Sequence, residues 1–189
     1  ERDRPGYGGG LLADPSESGR DPRINASKRG GPLIFVFDTS SLRQLFRSFY
    51  PARFPTLWEL FGAMVAEGRL TSTREVGREI DRYNEEDRLQ EWRRANPDLF
   101  PAPDEEETER VSRIFEVAHF RALISQKALL RGTPVADPFV IAKAWVAGGT
   151  VVTEEGLRDN AARIPNVCDH FGVGCTNLEG MMEHEGWEF

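Results

Sequence analysis

Short unbroken apolar runs alternate along the chain with stretches whose apolar residues recur every three or four positions. The first run, Leu33 to Phe37, has no polar interruption, as in a strand covered on both faces within a parallel sheet, and it ends on Asp38. From Pro55 to Ala66, the residues Leu57, Leu60, Phe61, Met64 and Val65 share one helical face, and Gly68 follows where a helix should stop. A short strand is expected over Arg69 to Ser72. Thr73 then caps a helix carrying Glu75, Val76, Glu79, Ile80 and Tyr83, which continues as a charged amphipathic segment to Trp92 before Pro97, Pro101 and Pro103 interrupt it.

Asp104 to Glu107 places negative charge on the first turn of another helix, where it suits the helix dipole and reads as solvated. The apolar positions of that helix are Val111, Ile114, Phe115, Ala118 and Ala122. Asp137-Pro138 reads as an N-cap followed by proline at the first helical position, with Val140, Ile141, Ala144 and Trp145 inward and Gly148-Gly149 as the stop. Thr150 to Thr153 is a second covered strand, and it runs into Glu154 and Glu155. A helix from Pro165 to Phe171, a strand from Gly174 to Thr176 and a helix from Leu178 to Glu185 close the chain. Strands alternating with helices predict a three-layer α/β/α sandwich with a mainly parallel central sheet, whose strand C-terminal ends share one edge. Sites in such sheets form at that edge.

Composition narrows the picture. With 189 residues, 39% of them hydrophobic, the chain has room for one domain and a tail. Residues 1–32 hold seven Gly, four Pro and eleven charged side chains but only six hydrophobic ones, too few to offset chain entropy, and are expected to be a disordered tail ahead of a domain over 33–189. The net charge of −7 argues against a module that holds nucleic acid by its overall field, while leaving room for a nuclease with a local basic strip. No run of about 18 apolar residues occurs, so the expectation is a soluble, cytoplasmic protein with no membrane contact. Cys168 and Cys175 alone make neither a four-thiolate zinc site nor a disulfide framework.

The candidate chemistry lies in carboxylates. Asp38 and the pair Glu154/Glu155 both follow buried strands and should reach the same edge; Asp137 starts a helix, and Glu75 and Glu79 lie four apart on another. Three or four carboxylates gathered without matching cations repel one another, and a divalent cation relieves that repulsion. Oxygen-only ligation suits Mg²⁺ or Mn²⁺, which can turn water into a nucleophile against a phosphodiester. The bland alternatives are that Asp38 and Asp137 cap helices, that Glu79 is a solvated helix residue and that Glu154 and Glu155 are loop carboxylates. His119, His170 and His184 lack metal-ligand spacing. The four Trp read as packing residues, and Arg69, Arg74, Arg78 and Arg82 as either a phosphate strip or a solvated face of Glu–Arg pairs. An aspartyl-phosphate phosphatase would need Asp where Ser40 stands, and no Gly-x-Ser-x-Gly elbow, Walker loop or dinucleotide fingerprint occurs.

In order, Phe37-Asp38-Thr39-Ser40-Ser41-Leu42, Arg74-Glu75-Val76-Gly77-Arg78-Glu79-Ile80, Ala136-Asp137-Pro138-Phe139-Val140-Ile141-Ala142 and Thr150-Val151-Val152-Thr153-Glu154-Glu155 resemble the acidic motifs of PIN-domain nucleases. The resemblance spans Leu33 to Phe189. It is nearest to a PIN-like branch known as a domain of unknown function, in which an Ile-Pro-x-Val-Cys stretch follows the last acidic motif, as Ile164 to Cys168 does here. The resemblance implies a PIN-like fold and a metal-dependent endoribonuclease. Asp38, Glu79, Asp137 and Glu155 would then be catalytic metal ligands for Mg²⁺ or Mn²⁺, with Thr39, Ser40 and Thr153 in support. Glu75 is a weaker second acid than Glu79, and Glu154 a weaker fourth than Glu155. It further implies an RNA substrate, a toxin role in a toxin–antitoxin pair with a small antitoxin partner, and a homodimer. A non-catalytic PIN-like module that binds RNA or a protein is the alternative from another class.

Overall fold

A computed structural model describes residues 32–82, 88–124 and 135–188. The tail predicted over 1–32 lies outside them apart from Pro32, as does Tyr83. The strands are β1 (Phe35–Phe37), β2 (Leu70–Thr71), β3 (Thr150–Val152) and β4 (Gly174–Thr176). They form one sheet in the order β2-β1-β3-β4 with every pairing parallel. The α-helices among the described residues are α1 (Thr39–Ser48), α2 (Pro55–Ala66), α3 (Arg74–Asp81), α4 (Arg88–Ala95), α5 (Glu105–Glu116), α6 (Asp137–Ala147), α7 (Ile164–Phe171) and α8 (Leu178–Glu185). The result is the α/β sandwich that the alternation of strands and helices predicts.

Why the sheet is parallel follows from its strands. Phe35, Val36, Phe37, Val151 and Val152 are all fully buried, so both faces of β1 and β3 need helical cover. Burying each large side chain contributes about 1.5–3 kcal/mol. On one face Phe37 meets Phe61 of α2 and Phe35 meets His184 of α8, each edge-on with ring centres 6.1 Å apart. Right-handed crossovers carry the connections that follow β2 and β3 to the other face. There α6 lies across β1 and β3 and packs on α5 and α7. Trp58 and Trp92 stack against Phe46 and Phe61, while Trp145 lies 4.6 Å from Phe171, so these indoles serve the core as expected. No helix among the described residues is long and apolar enough to cross a membrane.

Several boundaries differ from the pattern's reading. Strand β2 stops at Thr71 because the Ser72 amide leaves the ladder and donates to Leu99 O at 2.8 Å. Helix α5 stops at Glu116, where Val117 turns extended, and the 3₁₀ turn Ala118–Leu123 follows. That tighter turn exposes Ala118 and Ala122 and buries Phe120 and Leu123 in their place. The first turn of α5 is not wholly solvated. Glu107 is buried and accepts a hydrogen bond from Lys143 Nζ of α6 at 2.8 Å. Ala136, not Asp137, is the N-cap of α6, and Asp137 and Pro138 are its first two helical residues.

Candidate active site

All four strands run the same way, so the residues after them collect at one edge. Backbone bonds lace that edge together: Asp38 N donates to Val152 O at 3.0 Å and Thr153 N to Thr176 O at 2.9 Å. Asp38 is therefore set beside Thr153 although 115 positions separate them. The carboxylate of Asp38, 5% exposed, accepts three hydrogen bonds, from Ser40 N (3.2 Å), Ser40 Oγ (2.7 Å) and Thr153 Oγ1 (3.2 Å). All three fall on Oδ2, which pins the group as the N-cap of α1.

Glu79 reaches the same edge from α3. Its Oε2 accepts from Thr39 Oγ1 at 2.5 Å and its Oε1 from the Ala136 amide at 3.1 Å. One carboxylate thus ties the residue after Asp38 to the residue before Asp137. Burial raises the Glu79 carboxyl above the usual carboxylate range and the charge of Asp38 adds to that, with the bonds from Thr39 and Ala136 opposing. Asp137 bears the largest perturbation. Burial, and then the charges of Asp38, Glu155 and Glu79 in that order, push its carboxyl up to about 8, against some relief from its own amide. Asp38, Glu79 and Glu155 thus all lie within electrostatic reach of Asp137.

The paired alternatives separate cleanly. Glu75 is 5% exposed but turns to guanidinium groups, with Oε1 2.8 Å from Arg74 Nη2 and 3.8 Å from Arg78 Nη1. Its Oε1 is paired within its own helix, while its Oε2 is buried without a hydrogen-bond partner among the described residues. Glu154 accepts from the Leu178 amide at 3.1 Å and from Ser41 Oγ at 3.5 Å, so its carboxylate serves the start of α8. Glu155 instead donates its amide to Thr153 Oγ1 (3.2 Å) and accepts from Ile164 N with Oε2 (3.0 Å), and its charge is felt by Asp137. Thr153 and Ser40 link the two loops through a further 3.3 Å contact.

Two expected features resolve differently. Of the arginines around the second motif, Arg69 pairs with Glu67 and Glu185, and Arg74 and Arg78 with Glu75, so the reading as Glu–Arg pairs holds for these three. A basic feature unremarked in the sequence lies on α1. Arg43 and Arg47 are exposed there, and residues 39–58 contain those two, Arg53 and no acidic residue. A scan for local charge imbalance in an acidic chain would have found it.

The chain belongs to the DUF4411 family. The model of this domain of unknown function matches residues 35–189, which takes in all four carboxylates. No curated protein matches the chain. The donors at this pocket are hard oxygens, held by hydroxyls and amides, with the Asp137 carboxyl raised to about 8 by burial and by the neighbouring carboxylates. Such a set fits Mg²⁺ or Mn²⁺, which takes one or two carboxylates and otherwise keeps water or phosphate oxygens. Among the described residues no group of three or more His, Cys, Asp and Glu side chains is arranged to hold a metal ion.

Proposed function

We propose that the chain is a metal-dependent endoribonuclease of PIN-like type. In this reading Asp38, Asp137 and Glu155 hold Mg²⁺ or Mn²⁺, and Glu79 is the fourth acid. The observation that carries the reading is that acids from three other segments, Asp38, Glu79 and Glu155, act on the buried Asp137 near the carboxyl edge of a parallel sheet, with no salt bridge to any of the four among the described residues. The bound ion would supply a water of lowered pKa and offset charge developing on a phosphodiester.

The chain's own groups do the positioning. Ser40 and Thr153 fix the rotamer of Asp38, and Ile164 N holds one oxygen of Glu155. Glu79 sets the spacing between Asp38 and Asp137 through Thr39 and Ala136. Helix α1 starts inside the pocket, and its exposed Arg43 and Arg47 offer a local path for a phosphate backbone on a chain of net charge −7. Toxin activity in the cytoplasm, restraint by a small antitoxin protein and homodimerisation belong to the same reading through the PIN resemblance.

The test is cleavage of single-stranded RNA by the purified full-length chain with Mg²⁺ or Mn²⁺. Cutting is expected to depend on the metal and to fall at least about 100-fold in Asp38→Asn. Undiminished cutting by that variant would refute the assignment. A second reading, a non-catalytic module that binds RNA or a protein, is favoured by one observation: both oxygens of Glu79 already have protein donors. RNA binding without Mn²⁺ binding in calorimetry would select it.

A further inference from the structure

Beside the acidic pocket lies a cavity of about 390 Å³, within the roughly 300–1,000 Å³ span of small-molecule sites. It opens between the loop after β3, helix α7 and the end of β4, and it shares Thr153 and Glu155 with the pocket. Its lining combines two chemistries. Leu157, Pro165 and Val173 give apolar contact, and Leu157, 63% exposed, stands at the rim. Asp169, Glu154 and Glu155 bring carboxylates, and Asn177 brings an amide whose Oδ1 is already held by the Gly180 amide at 2.9 Å, which leaves its Nδ2 donors for an occupant.

We propose that this cavity is a nucleobase subsite, holding the base of a nucleotide next to the bond cut at the carboxylate pocket. The inference rests on the nuclease reading for that adjacency. Three carboxylates around the cavity repel a phosphate, so the anionic backbone stays outside and a neutral heterocycle enters. Apolar walls cover the faces of a flat ring, while carboxylate oxygens accept from exocyclic amino groups and ring N–H groups at its edge. Amino-bearing bases therefore fit better than uracil, which has no exocyclic amino group to offer. The shared Thr153–Glu155 segment places the sugar-phosphate link of such a base against the acids that would hold the metal.

The experiment uses nucleosides, which have no phosphate and need no metal. Adenosine, cytidine, guanosine and uridine are titrated into the full-length chain while backbone amide shifts are followed by NMR. Shifts concentrated in residues 153–157 and 165–177, larger for the three amino-bearing nucleosides than for uridine, are expected. Leu157→Ala, at an exposed position that the fold does not depend on, is expected to weaken binding roughly fivefold. No saturable shift at millimolar nucleoside, shifts located elsewhere, or an unchanged affinity in Leu157→Ala would overturn the proposal. Metal-dependent cleavage lost in Asp38→Asn together with silent nucleosides would leave the nuclease standing without this subsite. Nucleoside binding with no cleavage under any metal would keep the subsite and remove the nuclease.

Discussion

Asp137 begins a helix beside three other carboxylates, and burial together with their charge pushes its carboxyl up to about 8, from 3.8 in an unfolded chain. As pH rises the unfolded chain gives up this proton first, so the metal-free fold loses stability from about pH 4 to about pH 8 and levels off above that. Asp137→Asn removes the penalty. Its thermal midpoint without metal is expected to exceed that of the parent by roughly 10–20 °C at pH 8 and to match it near pH 4, as calorimetric scans at the two pH values would show. Spacing alone could not separate Glu75 from Glu79, because both lie on one side of a short helix. Their fates were settled by partners distant from that spacing, Arg74 and Arg78 for one and Thr39 and Ala136 for the other. Asp137-Pro138 was legible as a helix opening, but the cap moved to Ala136, whose amide Glu79 holds from across the fold.

Elements are fixed in place by a few close approaches. Gly149 enters β3 where a Cβ would lie 2.5 Å from the backbone oxygen of Ile34. Gly149→Ala must push β3 away from β1, and is expected to cost about 2 kcal/mol in urea denaturation. Glu107 and Lys143 join α5 to α6 as a buried pair. Lys143→Met should destabilise by about 3 kcal/mol by leaving Glu107 buried without its cation, and Glu107→Leu added to it should recover most of the loss. The sequence placed Glu107 in a helix's first turn, where acid normally faces water, and no local pattern could announce a lysine 36 positions on. Apolar periodicity likewise marked α5 correctly, then ran past its end, because the 3₁₀ turn rotates Phe120 and Leu123 inward in place of Ala118 and Ala122.

At the scale of the molecule, alternating covered strands and amphipathic helices were enough to forecast the sandwich, since a strand apolar on both faces has few other ways to be covered. The common edge followed from parallel pairing, which sets Asp38 beside Thr153 and the loop that carries Glu155. What the chain order could not express was how each carboxylate is oriented once there, because amides and hydroxyls from other segments decide that. The proposed function requires this pocket to be anionic enough to take a dication and to release the proton of Asp137 to solvent as it binds. Calorimetric titration of the full-length chain with Mn²⁺ at pH 7, in two buffers of different ionisation enthalpy, measures both at once. Binding with release of close to one proton, absent from Asp137→Asn, is the expected result. No Mn²⁺ binding, or binding with the same proton count in parent and variant, would contradict it.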